Sequence, residues 1–155
     1  MTEIPAGFEP LFRTSPFLDL LGPMFFRRLD QKNFIVGLRV REQHANARGF
    51  AHGGVLLTLA DIALGYVPAF SQDPPLSLTT ANLCADFAGN ATVGDWLEAH
   101  VDILKIGSRL VFANTYLFVR SERIARVSAV FARNVGRLQT MPDAGSGAGG
   151  DVDHE

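Results

Sequence analysis

Asn46 to Asp61 reads NARGFAHGGVLLTLAD, and the rest of the chain is arranged around it. An apolar run starts at Gly53 and lasts to about Phe70, and only Thr58, Asp61 and Tyr66 interrupt it with polar side-chain groups. A segment apolar on all sides predicts a buried core helix over 53–70 rather than a surface helix. A carboxylate inside such a helix is costly unless it is paired, hydrogen-bonded or protonated. Asp61 is therefore either a structural acid, bonded to an amide or an arginine, or a working one. The Gly53-Gly54 pair at the helix start favours work. Glycine lets another group approach the backbone closely, and the first helical turn offers unpaired N–H groups and partial positive charge. That suits an oxyanion as well as a phosphate. A carboxylate base and an oxyanion hole on one helix point to acyl transfer.

At 155 residues the chain is most simply one domain, long enough to bury a substantial core. Hydrophobic residues make up 47% and charged residues 19%, the balance of an ordinary globular protein. A formal net charge of −2 provides no basic field to attract nucleic acid. Cys84 is the single cysteine, so neither an internal disulfide nor a cysteine-rich zinc site is available, which fits a reducing, cytoplasmic setting. MTEIPAGFEP lacks a basic stretch followed by an apolar run, so no secretory signal is expected. The 53–70 run approaches membrane-spanning length, but Asp61, Pro68 and three glycines argue for a core helix.

In chain order, residues 1–14 read as a poorly ordered lead-in. Ser15-Pro16 starts a short helix, with serine as N-cap and proline at the first helical position, that ends near Gly22-Pro23. Met24–Leu29 is a first strand. Phe34, Val36, Leu38 and Val40 alternate with Gly37 and Arg39 in a second. A loop over 42–51 leads into the long helix, and Ser71-Gln72-Asp73-Pro74-Pro75 breaks after it. Leu76–Phe87 reads as a strand with Thr80, Asn82 and Asp86 on one face and Leu83 and Phe87 on the other. Trp96–Ile106 alternates well, Gly107-Ser108 makes a hairpin turn, and Leu110–Val119, apolar on both faces, is expected to be central. A last strand covers 124–131. Consecutive strands joined by short turns imply an antiparallel sheet. One long apolar helix is buried only if that sheet curls around it, so the class is α+β. The domain is expected over 15–138, with a disordered Gly-rich acidic tail over 139–155.

This pattern resembles the hotdog-fold acyl-CoA thioesterases, in the branch of the 4-hydroxybenzoyl-CoA thioesterase superfamily related to the phenylacetic acid degradation thioesterase. Asn46, His52-Gly53-Gly54 and Asp61 carry the resemblance. So do the strand Thr79–Phe87, the Gly94-Asp95 turn and the hairpin Lys105–Arg109, over roughly residues 15–135. The resemblance implies a curved sheet around the helix and a thioester hydrolase with no cofactor, coenzyme A being part of the substrate. It also implies roles. The Gly53 N–H polarises the thioester carbonyl, Asn46 helps to hold it, Asp61 activates water or attacks as a nucleophile, and Thr80 positions the water. One departure is Phe87-Ala88-Gly89-Asn90, where the family usually ends the strand in an aromatic, an apolar residue, one further position and proline.

Those roles conflict with the geometry of a single helix. Gly53 and Asp61 stand eight residues apart, about 12 Å along the axis, whereas an oxyanion donor and a base must both reach one carbonyl. Two helices packed antiparallel solve this, which predicts a two-fold homodimer with sites at its interface. The resemblance implies the same dimer, commonly paired into a tetramer. His52, beside a helix N-terminus that disfavours its protonated form, is expected to shape the loop and, with Gly54, to flank the substrate. Ser108 and Arg109 are available for the phosphates of coenzyme A, or form a solvated turn; Arg39, Arg41 and Arg48 are equally available. No histidine spacing suggests a metal site, and Cys84 reads as a core thiol. The rival functions are a non-catalytic acyl-CoA binder and a hydratase or dehydratase of acyl thioesters.

Overall fold

The computed structural model describes residues 3–134. The expected tail over 139–155, and the last residues of the expected domain, lie outside them. The elements are β1 (Glu9–Pro10), α1 (Pro16–Leu21), β2 (Met24–Arg28), β3 (Phe34–Arg39), a 3-10 turn (Glu42–His44), α2 (Gly53–Phe70), β4 (Leu78–Phe87), β5 (Trp96–Ile106), β6 (Leu110–Val119) and β7 (Glu122–Arg133). Helix α1 starts as its sequence dictates, with Pro16 leading and the Ser15 hydroxyl accepting from the Leu18 N–H at 3.4 Å.

The strands form one sheet in the order β1-β2-β3-β5-β6-β7-β4, with every pair antiparallel. Two expectations are corrected. Residues 9–10, placed in a loose lead-in, add a strand to β2, and Phe12 packs edge-on against Phe26, Phe34 and Phe70. These aromatic contacts offset the entropy of ordering the segment. Strand β4, although followed directly by β5, does not pair with it. It lies beyond β7 at the sheet edge, and the 88–95 connection runs back past the start of α2.

The concave face of the sheet wraps α2. Leu56, Leu59, Ala60, Ala63, Leu64 and Val67 are buried against Val36, Leu97, Ala99, Val111, Ala113, Leu117, Val127 and Ala129. Small residues at Ala99, Ala113 and Ala129 let the helix approach. Each buried leucine contributes about 1.5–3 kcal/mol relative to exposure. This packing marks α2 as a core helix although its length and apolarity alone would suffice to cross a bilayer. The helix is not buried all round, however. Gly54, Leu57, Thr58, Asp61, Ile62, Gly65 and Tyr66, at helical spacing, form a stripe that the chain itself does not fully cover. The free edge of β4 lies beside that stripe. A curved antiparallel sheet around one long helix is the hotdog arrangement.

Candidate active site

The loop before α2 is fixed from several sides. His44 is buried; its Nδ1 accepts from the Arg41 N–H at 3.0 Å, which leaves Nε2–H to donate to the Leu21 carbonyl at 2.6 Å. The His44 carbonyl accepts from the His52 N–H at 2.8 Å, and the Ala51 N–H donates to Ala91 O at 2.7 Å. Asn46 closes the turn between them: its Oδ1 accepts from the N–H groups of Arg48 and Phe50 at 2.9 and 3.3 Å. This is the turn-forming habit of asparagine, and it leaves Asn46 Nδ2 with no hydrogen bond among the described residues.

His52 is the N-cap of α2, with φ −64° and ψ 140°, and its Nδ1 accepts from the Gly54 N–H at 3.2 Å. A ring nitrogen that accepts this bond is unprotonated, in keeping with a loop-shaping role. The Gly53 N–H donates to nothing among the described residues. Nor does the chain itself require glycine there. A Cβ on Gly53 would meet the Phe87 ring no closer than 3.5 Å, an ordinary contact. The helix start thus presents one unused donor in the positive end of the helix dipole.

Asp61 lies two turns further along, on the uncovered stripe, and is partly exposed within the single chain rather than sealed in the core. Its Oδ1 accepts from the Thr80 hydroxyl at 2.8 Å. The strand register makes that contact. Between Thr80 and Asn82 the pairing of β4 with β7 slips by one residue, so Thr80 faces Phe131, and Leu83, Ala85 and Phe87 face Ala129, Val127 and Ala125. All four β7 partners point to the helix. The bulge therefore brings Thr80 onto the same face as Leu83 and Phe87, contrary to strict alternation. It also turns Cys84 outward, where it is exposed opposite Ser128 and is not a core thiol.

Two cavities meet at the Asp61–Thr80 pair. One, of about 280 Å³, lies toward α1 and the first half of the stripe, between Phe17, Leu57, Thr58 and Leu83. The other, of about 520 Å³, follows α2 toward its C-terminus between Leu76, Leu78, Phe131, Tyr66 and Phe70, with Arg13 at its rim. Volumes of this size accommodate small ligands. Burial pushes the Tyr66 phenol above its ordinary pKa, against the lowering effect of Arg13, so its hydroxyl remains a donor at neutral pH.

Gly53 lines neither cavity, and neither do Ser108 and Arg109, which sit at the β5–β6 turn where Arg109 O accepts from the Arg133 N–H. Arg39 is held by Gly94 O and lies over the Trp96 ring. Sequence reasoning missed Arg13, Tyr66 and His44 as parts of the site and its frame. Tyr66 alone was marked, as one of three polar residues in an apolar run. Among the described residues no cluster of three or more metal-binding side chains occurs.

The profile described as the thioesterase superfamily matches residues 48–124. A Pseudomonas aeruginosa protein named "Putative esterase PA0474" is 50% identical over 131 residues, covering 84% of this chain and 98% of that protein. Among solved structures, the Escherichia coli PaaI protein from the phenylacetic acid degradation operon superposes with a TM-score of 0.70 at 22% identity. The match covers 79% of this chain and 86% of that one. A hypothetical thioesterase protein from Streptococcus pneumoniae, solved with coenzyme A, gives 0.69 at 16% identity over 76% and 90% of the two chains.

Proposed function

The chain belongs to the thioesterase superfamily and is a thioester hydrolase, and from that premise we propose that it hydrolyses acyl-CoA to a free acid and coenzyme A, at sites shared between two copies of the chain. The observation that carries the reading is the Asp61 carboxylate, pinned by Thr80 at the junction of two cavities on an uncovered helix face. The coenzyme A held by the Streptococcus pneumoniae relative supports the same ligand here.

The hydrogen bonds supply the mechanism. Thr80 spends its proton on Asp61 Oδ1, so Asp61 Oδ2 and the lone pairs of Thr80 Oγ1 remain as acceptors. A water that donates one O–H to each has its own lone pair turned away from both, toward a thioester carbon. Asp61 takes the proton as that lone pair attacks, acting as a general base. The carbonyl oxygen gains negative charge and needs a preorganised donor. Gly53 N–H is such a donor, but its own Asp61 is about 12 Å away along the helix. The partner's Gly53 is brought near when two α2 stripes pack antiparallel across a two-fold axis. Asn46 Nδ2, unused in its turn, is the second donor to the oxyanion. His52 and Gly54 flank the entering thioester, and Ser108 and Arg109 are assigned to the phosphates of coenzyme A. The oxyanion then reforms the carbonyl and the C–S bond breaks, expelling the thiolate. The proton taken by Asp61 passes to that thiolate, so free acid and coenzyme A depart and the Asp61 carboxylate is restored. No cofactor is called for.

The test is thiol release from a panel of phenylacetyl-, benzoyl-, short- and long-chain acyl-CoAs, with wild type beside Asp61→Ala and the oligomeric state checked for both. Turnover that is lost in the variant while the dimer persists supports the reading. Binding of acyl-CoA without turnover by the wild type identifies a binder and returns Asp61 to a structural role.

A further inference from the structure

The larger cavity has chemistry at both ends. Asp61 and Thr80 stand at one end, and Leu76, Leu78 and Phe131 line the walls. At the other end Arg13 lies 6.0 Å from the centre of the Phe70 ring, and Tyr66, which lines both cavities, stands between that end and Asp61. Among its lining residues Arg13 is the single cation and Asp61 the single anion. A neutral thioester suits the Asp61 end, where a second negative charge would be repelled. Methylene groups suit the walls. The guanidinium end, with its planar fork of donors, matches a carboxylate.

We propose that the acyl group carries a second carboxylate at its far end, received by Arg13 and the Tyr66 hydroxyl, so that the substrates are medium-chain ω-carboxyacyl thioesters. This rests on the thioesterase reading above and adds the acyl class to it. Length follows from the helix. Tyr66 and Phe70 stand five and nine residues beyond Asp61, about 7.5 and 13.5 Å along the axis. At roughly 1.2 Å per bond of an extended chain, that separation takes roughly six to eleven bonds between the two carbonyl carbons. Suberoyl and sebacoyl groups fall in that window, and succinyl falls short of it.

The experiment compares kcat/KM for suberoyl-CoA with octanoyl-CoA, and for sebacoyl-CoA with decanoyl-CoA, in the intact protein. The wild type is expected to favour the ω-carboxylate of each pair on the order of tenfold or more, the contribution of a charge-assisted hydrogen bond. In Arg13→Met the ratio falls toward one through KM for the ω-carboxyl member, and Arg13→Lys keeps part of the preference. Tyr66→Phe, which retains the ring, reduces the ratio by a smaller factor. Because each ratio is internal to one preparation, partial misfolding of a variant does not alter it. Equal or better turnover of the neutral member by the wild type, or a ratio unmoved in Arg13→Met, overturns the assignment while leaving the thioesterase reading in place. No thiol release from any of these substrates or from phenylacetyl-CoA overturns both.

Discussion

Replacing Gly53 with proline removes the N–H of the proposed oxyanion donor and little else. Proline is well placed at the first helical position. It requires the preceding residue to be extended, and His52 already has φ −64° and ψ 140°. No hydrogen bond within the described chain is lost, because the Gly53 N–H makes none. The added Cβ sits 3.5 Å from the ring of Phe87, a residue that is 49% exposed within the chain and has room to yield. Folding stability should hold or rise by about 0.4–1 kcal/mol, since proline restricts the unfolded chain. Activity should fall. Loss of one oxyanion donor costs about 10²–10³ in kcat, or roughly 2.7–4 kcal/mol of transition-state stabilisation. The assay is thiol release under saturating acyl-CoA, with thermal unfolding and size-exclusion chromatography on the same samples. Gly53→Ala, which keeps the N–H, serves as the control. A folded, dimeric Gly53→Pro enzyme with kcat within a few-fold of wild type would refute the oxyanion role.

Three further outcomes are expected. Asp61→Asn retains an acceptor for the Thr80 hydroxyl but loses the base, so kcat should drop about 10²–10⁴-fold with little change in KM; steady-state kinetics decide. Thr80→Val removes the 2.8 Å bond that orients Asp61, and kcat should fall about tenfold, with activity largely restored in Thr80→Ser. Asp95 braces the 88–95 connection. Burial raises its pKa, but the Thr92 N–H and hydroxyl and Arg120 outweigh that, so the net shift is downward. A depressed carboxylate pKa contributes stability that is present above the unfolded value of about 3.9 and is lost as pH falls through the lower folded value. Asp95→Asn should therefore be less stable than wild type at pH 7 in denaturant titrations, with the gap closing in strong acid.

The fold was legible where a local signal and the global packing agree. The apolar run after His52-Gly53-Gly54 marked α2 with its observed ends, and the Ser15-Pro16 pair marked α1. Sheet order was not legible, because the position of β4 beyond β7 depends on closure of the sheet around the helix and leaves no trace in the spacing. The bulge after Thr80 was likewise hidden. Period two assigned Thr80 and Leu83 to opposite faces, and only the pairing with β7 shows that they share one. The half-covered face of α2 was legible only in part. Apolarity on all sides was read as burial within one chain, and only the eight-residue spacing of Gly53 and Asp61 pointed to a second copy on that face. Arg13 escaped notice because nothing in a lead-in of mixed composition signals that it folds back beside Phe70.

The claim that each site draws on two chains is tested most directly by mixing the two defects. Asp61→Asn and Gly53→Pro protomers, each inactive as homodimers, are unfolded together and refolded, or co-expressed with different tags. A mixed dimer then holds one site with both groups intact and one with neither. With half the dimers mixed and half their sites intact, activity should recover to about a quarter of wild type. No recovery, from mixed dimers verified by tag capture, would mean that Gly53 and Asp61 do not serve one thioester from two chains, and would contradict the account.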